Sequence, residues 1–256
     1  ACIAGVFSLE DGLRLIAERA RLMQALPQNG MMVSVLADEK KIQEQLKPYA
    51  EDVTVAIVNG PQSIVLSGEQ SAMIAVVADL NARDIKTREL KVSHAFHSVL
   101  MEPMLSEFDQ IARQVTFNLP KITLISNVTG EKIGSEIARA DYWSRHIRQA
   151  VQFSKGMDCL AGLGVNVYLE IGPSPTLLGM GRLCLGETPN IDWLPSLRPQ
   201  QEDWQQMLES LSTLYQRGIQ VDWAGFDADY QRRKVVLPTY PFQRQRYWID
   251  ETPPFS

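Results

Sequence analysis

Residues 31–93 read MMVSVLADEKKIQEQLKPYAEDVTVAIVNGPQSIVLSGEQSAMIAVVADLNARDIKTRELKVS, and the fold is decided here. MMVSVLA (31–37) has the β-branched and apolar character of a strand, and KKIQEQLKPYA (40–50) spaces its apolar residues as a helix does. VTVAIVNG (53–60) and SIVLSGE (63–69) read as strands, QSAMIAVVADLNARD (70–84) as a helix and IKTRELKVS (85–93) as a strand. Asn59-Gly60-Pro61 marks the turn between the two middle strands. An order βαββαβ within about 60 residues is the split βαβ arrangement.

Helical and strand segments lie on both sides of this unit. Ser8-Leu9-Glu10-Asp11 reads as an N-cap with acidic residues in the first turn, and Leu9, Leu13, Ile16, Ala17, Ala20 and Met23 then follow at helical spacing. After His97 a helix is expected to about Gln114, then a strand and turn in KITLISNVTG (121–130) and helices in 140–149 and 153–164. VNVYLEIGPSP (165–175) reads as a buried strand entering a Gly/Pro turn before a short helix at 176–185. A last helix spans 202–218 with Gly218 as its C-cap, and VVLPTYPFQRQRYWID (235–250) is too irregular for a core element. The expected fold is α/β, a body interrupted by a ferredoxin-like insert.

Composition narrows the function classes. The 256 residues are 45% hydrophobic and 21% charged, enough apolar content to offset ordering entropy, which excludes a disordered chain. No apolar run reaches the roughly 18 residues of a membrane span, so no membrane partner is expected. A net charge of −5 disfavours nucleic acid, whose affinity comes from clustered cations. Cys2, Cys159 and Cys184 are odd in number and widely spaced, with no CxxC or HxxxH pattern. Free thiols in a reducing compartment, a cytoplasmic location and no metal site are the expectations. The start, ACIAGVFSLEDG, has no signal-peptide pattern.

Three residues stand out chemically. His94 and His97 sit in SHAFHS, where a predicted strand ends and a helix begins. Such strand ends hold ligands in open α/β folds, and imidazole suits proton transfer near neutral pH. Surface or capping roles are the alternative. Arg19 projects at the apolar arc of the first helix, between Leu26 and the Ile16/Met23 edge. It either snorkels or meets an anion, because burying it unpaired is costly. LEIGPSPTLLG (169–179) offers a helix start for an anion, but without GxGxxG or a P-loop pattern it reads as a packing turn. RQRYW (244–248) reads as a partner-packing segment.

Six ordered stretches carry a resemblance: AGVFSLEDGLRLIAERARLMQ (4–24), IVNGPQSIVLSGE (57–69), VSHAFHSVLMEPML (92–105), ISNVTGE (125–131), YLEIGPSPTLL (168–178) and LPTYPFQRQRYW (237–248). Together they resemble the acyltransferase domain of modular type I polyketide synthases and the linker that follows it. The resemblance implies an α/β-hydrolase-like core (1–30 and 94–200), a ferredoxin-like subdomain (31–93) and a linker (201–256) packing toward a ketosynthase. It implies transfer of a malonyl unit from malonyl-CoA, through a serine ester, to the phosphopantetheine thiol of an acyl carrier protein. CoA and phosphopantetheine come with the substrates, and no bound cofactor is expected.

By the same resemblance His97 is the catalytic base and acid, and Arg19 of RxxxMQ binds the acyl carboxylate. His94 and Phe96 belong to the substrate site, with Phe96 marking the malonyl-selecting form of HAFH. A carbonyl following the YWxRHxR helix orients the catalytic imidazole, a place given to His146. The sequence has no Gly-His-Ser-x-Gly elbow. It is therefore expected to be the downstream part of such a domain, inactive without an upstream serine. A methylmalonyl-selective enzyme, a hydrolase of the same fold and a purely structural docking segment are the alternatives.

Overall fold

The computed structural model describes residues 1–233, 235–245 and 247–248. At its centre four strands, β1 (Gly30–Val35), β2 (Val53–Gly60), β3 (Ser63–Glu69) and β4 (Thr87–Glu89), form one sheet in the order β2-β3-β1-β4. Every pairing in it is antiparallel. Helices α2 (Glu39–Leu46) and α3 (Gln70–Asn81) supply the two connections, which completes the βαββαβ order expected from periodicity. Alternation along the strands sorts the side chains. Val33, Val35, Ile64 and Leu66 face Ile42, Leu46, Met73, Val76 and Leu80 of the helices. Met32 and Val65, one residue out of phase, join Ala56 on the opposite face, where Phe96 packs.

The β2–β3 turn is tighter than the sequence suggested. Gly60 pairs with Ser63, so Asn59 and Gly60 remain in the strand and Pro61-Gln62 makes the turn. Pro61 presets the φ that such a turn needs at its first corner.

Around the sheet lie α1 (Leu9–Gln24), α4 (Leu105–Ala112), α5 (Ala140–Arg148), α6 (Phe153–Gly162) and α7 (Thr176–Leu185). Ser8 caps α1, its hydroxyl accepting from the Asp11 amide at 3.0 Å. Helix α1 buries Leu15, Leu22 and Met23 against Met101, Met104, Phe108 and Ile147. Leu9, Leu13 and Ile16, expected on that face, are more than half exposed. The packed arc is set by where α4 and α5 lie, which spacing along one helix does not encode. The single helix expected after His97 is instead a 3₁₀ segment, Val99–Met104, followed by α4. Pro103 lies inside the 3₁₀ turn and has no amide hydrogen for a regular helical ladder.

Strands β5 (Leu124–Ile125) and β6 (Lys132–Ile133) form a short antiparallel pair, and β7 (Val167–Glu170) pairs in parallel with β8 (Asp192–Pro195). Of β7 only Tyr168 is buried, in a cluster with Met157 and Leu178 from α6 and α7. The expectation of a wholly buried strand is corrected, since Leu169 points away from those helices and is exposed. At the start of α7 the Leu177 and Leu178 amides donate to the Glu170 carboxylate at 3.1 and 2.8 Å. The chain's own anion occupies that helix end, so the Gly-Pro turn is a packing turn.

The chain divides into two units, 1–210 and 211–256. Helix α8 (Asp203–Gln216) begins in the first, where Ser210 donates to the Pro195 carbonyl at 2.7 Å. In the second unit, Tyr215, Trp223 and Phe226 meet edge to face around α9 (Trp223–Phe226), which Asp222 caps. No helix or strand follows among its described residues. The irregular stretch expected over 235–250 includes residues 246, 249 and 250, which lie outside the described ones. Among the described residues no helix is long and apolar enough to cross a membrane.

Candidate active site

The SHAFHS segment leaves β4 and turns sharply, and its conformation is fixed by its own polar groups. The Ser98 hydroxyl is fully buried, donates to the Ala95 carbonyl at 2.7 Å and accepts from the Leu100 amide at 3.2 Å. Gly30 at the start of β1 lets this turn come close. A Cβ there would lie 2.4 Å from the Ala95 Cβ and 3.1 Å from its amide nitrogen.

His97 sits at φ +59°, a left-handed conformation that costs a non-glycine residue on the order of 1 kcal/mol. Thr54 of β2 supports it by donating to the His97 carbonyl at 3.2 Å. The imidazole is half-buried, and its Nδ1 lies 2.8 Å from the Gln149 carbonyl oxygen. A carbonyl only accepts, so Nδ1 carries the proton and Nε2 keeps a free lone pair. Burial and the nearby Arg19 charge hold the His97 pKa below its ordinary value, burial being the larger cause and the Gln149 bond opposing it.

The orienting carbonyl is therefore that of Gln149, not His146. Gln149 ends α5, where φ −81° and ψ 157° break the helical ladder and release its carbonyl. The next residues are tied to β2. Val58 donates to the Val151 carbonyl and Val151 to the Ala56 carbonyl, both at 2.8 Å. Strand β2 thus holds His97 from one side through Thr54 and the segment after Gln149 from the other. Neither Thr54 nor Gln149 was singled out in the sequence. A helix ending at Gln149 was visible, but backbone carbonyls leave no compositional trace.

Arg19 and His146 complete the cluster. Leu15, Arg19 and Met23 recur every four residues on the buried side of α1, so the guanidinium is carried into the packed face between two core residues. Its Nη1 donates to the His146 Nδ1 at 3.2 Å. Among the described residues no carboxylate lies within 4.0 Å of it. Burial lowers the Arg19 pKa. The His146 pKa falls to about 4, first through burial and then through the Arg19 and His97 charges. The arginine meets no anion of the described chain; it remains a half-buried cation resting on an imidazole.

His94 has a different task. Its ring is 2% exposed, Nε2 donates to the Leu26 carbonyl at 3.0 Å and Nδ1 is 3.0 Å from the Ser93 hydroxyl. Both nitrogens are used, so the expected substrate role gives way to a structural one: His94 ties the turn to the end of α1. Phe96 is half-buried, packed on the sheet face of Met32, Ala56 and Val65 and on the α1–α4 core. Among the described residues no group of three or more His, Cys, Asp or Glu could hold a metal.

A nucleophile is not among these groups. The cluster offers a proton acceptor fixed in one tautomer and a cation free to bind an anion.

Residues 1–221 match the acyl transferase domain family. Over 253 residues the chain is 40% identical to polyketide synthase GfsA of Streptomyces halstedii, covering 98% of this chain and 3% of that protein. It is 40% identical over 249 residues to mycoketide-CoA synthase of Mycobacterium tuberculosis, covering 97% and 6%. Among solved structures it resembles the acyltransferase domain from the second module of the salinomycin polyketide synthase, with TM-score 0.88 and 43% identity over 94% of this chain and 57% of that one. FabD from Acinetobacter baumannii gives TM-score 0.74 and 25% identity over 84% and 68%. The chain thus spans a small fraction of these synthases and just over half of the salinomycin domain.

Proposed function

The chain belongs to the acyl transferase domain family, and on that premise we propose that it supplies the proton-transfer and carboxylate-binding part of an acyltransferase. The reaction moves a malonyl group from malonyl-CoA, through a serine ester, to the phosphopantetheine thiol of an acyl carrier protein. The observation that supports it best is the convergence of Arg19, from the first helix, with His97, from the turn that follows the small sheet.

His97 Nε2 takes the serine hydroxyl proton as the oxygen attacks the thioester carbonyl. A C–O bond forms, the C–S bond breaks, and the imidazolium returns its proton to the departing CoA thiolate. In the second half the carrier thiol gives its proton to Nε2 and attacks the ester. The C–S bond forms, the C–O bond breaks and the serine recovers the proton. The Gln149 carbonyl keeps His97 in the tautomer that both halves need. Arg19 holds the free carboxylate of the acyl group, for which a planar guanidinium is suited.

On this reading the nucleophile is a serine outside these 256 residues, and the isolated chain forms no covalent adduct with malonyl-CoA. Mass spectrometry of the holo carrier protein, incubated with malonyl-CoA and the complete acyltransferase, tests the function. Malonyl transfer that falls by about 10³-fold in His97→Ala is the expected outcome, in line with loss of a general base. Transfer at the wild-type rate would reject the role of His97.

Extender choice follows from Phe96. Packing against two clusters fixes its ring, and on this reading the fixed ring, one residue from His97, leaves no room for a branched acyl group. Malonyl-CoA should outcompete methylmalonyl-CoA by at least about 10-fold, at the scale a methyl group allows. Equal loading from a mixture of the two would refute that preference.

A further inference from the structure

An arginine carried into a packed face usually leans on a carboxylate; for the half-buried Arg19 the acceptor is an imidazole. We infer that His146 is a positioning residue for substrate selection: its Nδ1 accepts from Arg19 and aims the guanidinium without neutralising it, which reserves the cation for the acyl carboxylate. The inference rests on the function proposed above and adds to it a residue and a reason for its chemical type.

Arginine only donates, so the 3.2 Å contact requires a bare Nδ1 on His146 and, in the neutral ring, a proton on Nε2. His97 makes the opposite choice, with its proton on Nδ1 facing Gln149. The two imidazoles beside Arg19 are therefore held in different tautomers by different partners. Protonating His146 would set one cation against another in a half-buried place, and its pKa of about 4 keeps it neutral at working pH.

The ring is also fixed in place. Tyr142 and Trp143 of the same helix lie 6.1 and 5.9 Å from it, centroid to centroid, and it lines a cavity of about 490 Å³ with Phe7 and Leu13. A carboxylate in place of His146 would hold the guanidinium as well, but would form an ion pair and compete with the substrate. A neutral acceptor avoids that competition.

Two measurements test this. In the 256-residue chain, long-range proton–nitrogen NMR should find His146 bare at Nδ1 and protonated at Nε2 between about pH 6 and 8, where a neutral histidine is expected. Arg19→Met should raise its titration midpoint. In the complete acyltransferase, the ratio of kcat/KM for malonyl-CoA to that for acetyl-CoA should fall at least about 10-fold in His146→Asp, mainly through KM, and stay within about 3-fold in His146→Asn. Equal losses in Asp and Asn would overturn the charge argument, and an Nδ1-protonated His146 would overturn the inference alone. Wild-type enzyme that does not transfer malonyl would overturn the proposed function, and the inference with it.

Discussion

At the scale of single residues the site is a matter of who holds which proton. His97 adopts a strained backbone so that its ring meets Gln149, and the carbonyl there selects the tautomer that leaves Nε2 available. Because burial and Arg19 hold its pKa below the ordinary value, the base form persists at mildly acid pH. The acid limb of kcat/KM for acyl transfer should accordingly fall below pH 6.5, the value for an unperturbed histidine. On the proposed function, replacing Arg19 by Met removes the carboxylate receptor, and with it the charge that depresses His97. Malonyl transfer should drop by about 10²-fold relative to acetyl transfer, as expected for loss of a charge-assisted pair, while the acid limb moves to higher pH. Rates against pH with the two thioesters check both outcomes. The candidates His97 and Arg19 were legible because an imidazole at a strand end and a cation on an apolar arc are anomalies of composition. The division of labour between His94 and His97 was not, since identical side chains three residues apart are told apart only by their partners.

At the scale of elements, strand β2 is the buttress. It is an edge strand of the small sheet, and its outer side bonds to Val151 while Thr54 supports His97. Thr54→Val keeps the shape and removes one hydrogen bond, so it should destabilise the chain by about 1 kcal/mol. It should also slow acyl transfer several-fold by freeing the His97 carbonyl. Urea unfolding and transfer rates separate the two effects, and unaltered transfer would show that Thr54 is not needed to hold the turn. The helices and strands of residues 30–89 could be read from the sequence because strands packed on both faces of the sheet are short, apolar, β-branched runs, set apart from helices whose apolar residues recur at three and four. Strand β8 was missed for the opposite reason: IDWLP is short and owes its extended form to its partner β7 rather than to a pattern of its own.

At the scale of the molecule, the two lowered histidines make stability depend on pH. Unfolding restores an ordinary pKa of 6.5, so between about 4 and 6.5 the unfolded chain binds more protons than the folded one. Stability is then fully present above pH 6.5 and is lost as pH falls toward 4, with His146 contributing on the order of 2 kcal/mol after allowance for partial exposure. Urea midpoints measured at neutral pH and at pH 5 should show the decline, and His146→Gln should reduce it. A midpoint that rises on acidification would contradict the burial of these rings.

The amino-acid order determined the βαββαβ unit, the Ser8 cap, the segments that carry α5 to α7 and the two residues most worth suspecting. These follow from local chemistry: side-chain period, capping groups and the cost of burying charge. Only the tertiary structure decided that Gln149 lends its carbonyl, that His94 is spent on Leu26, that α1 buries Leu15 rather than Leu13, and that Arg19 rests on His146. Each of these depends on groups brought together from distant parts of the chain, often through backbone atoms that every residue shares, and such meetings are fixed by packing rather than by the identity of a neighbour in sequence.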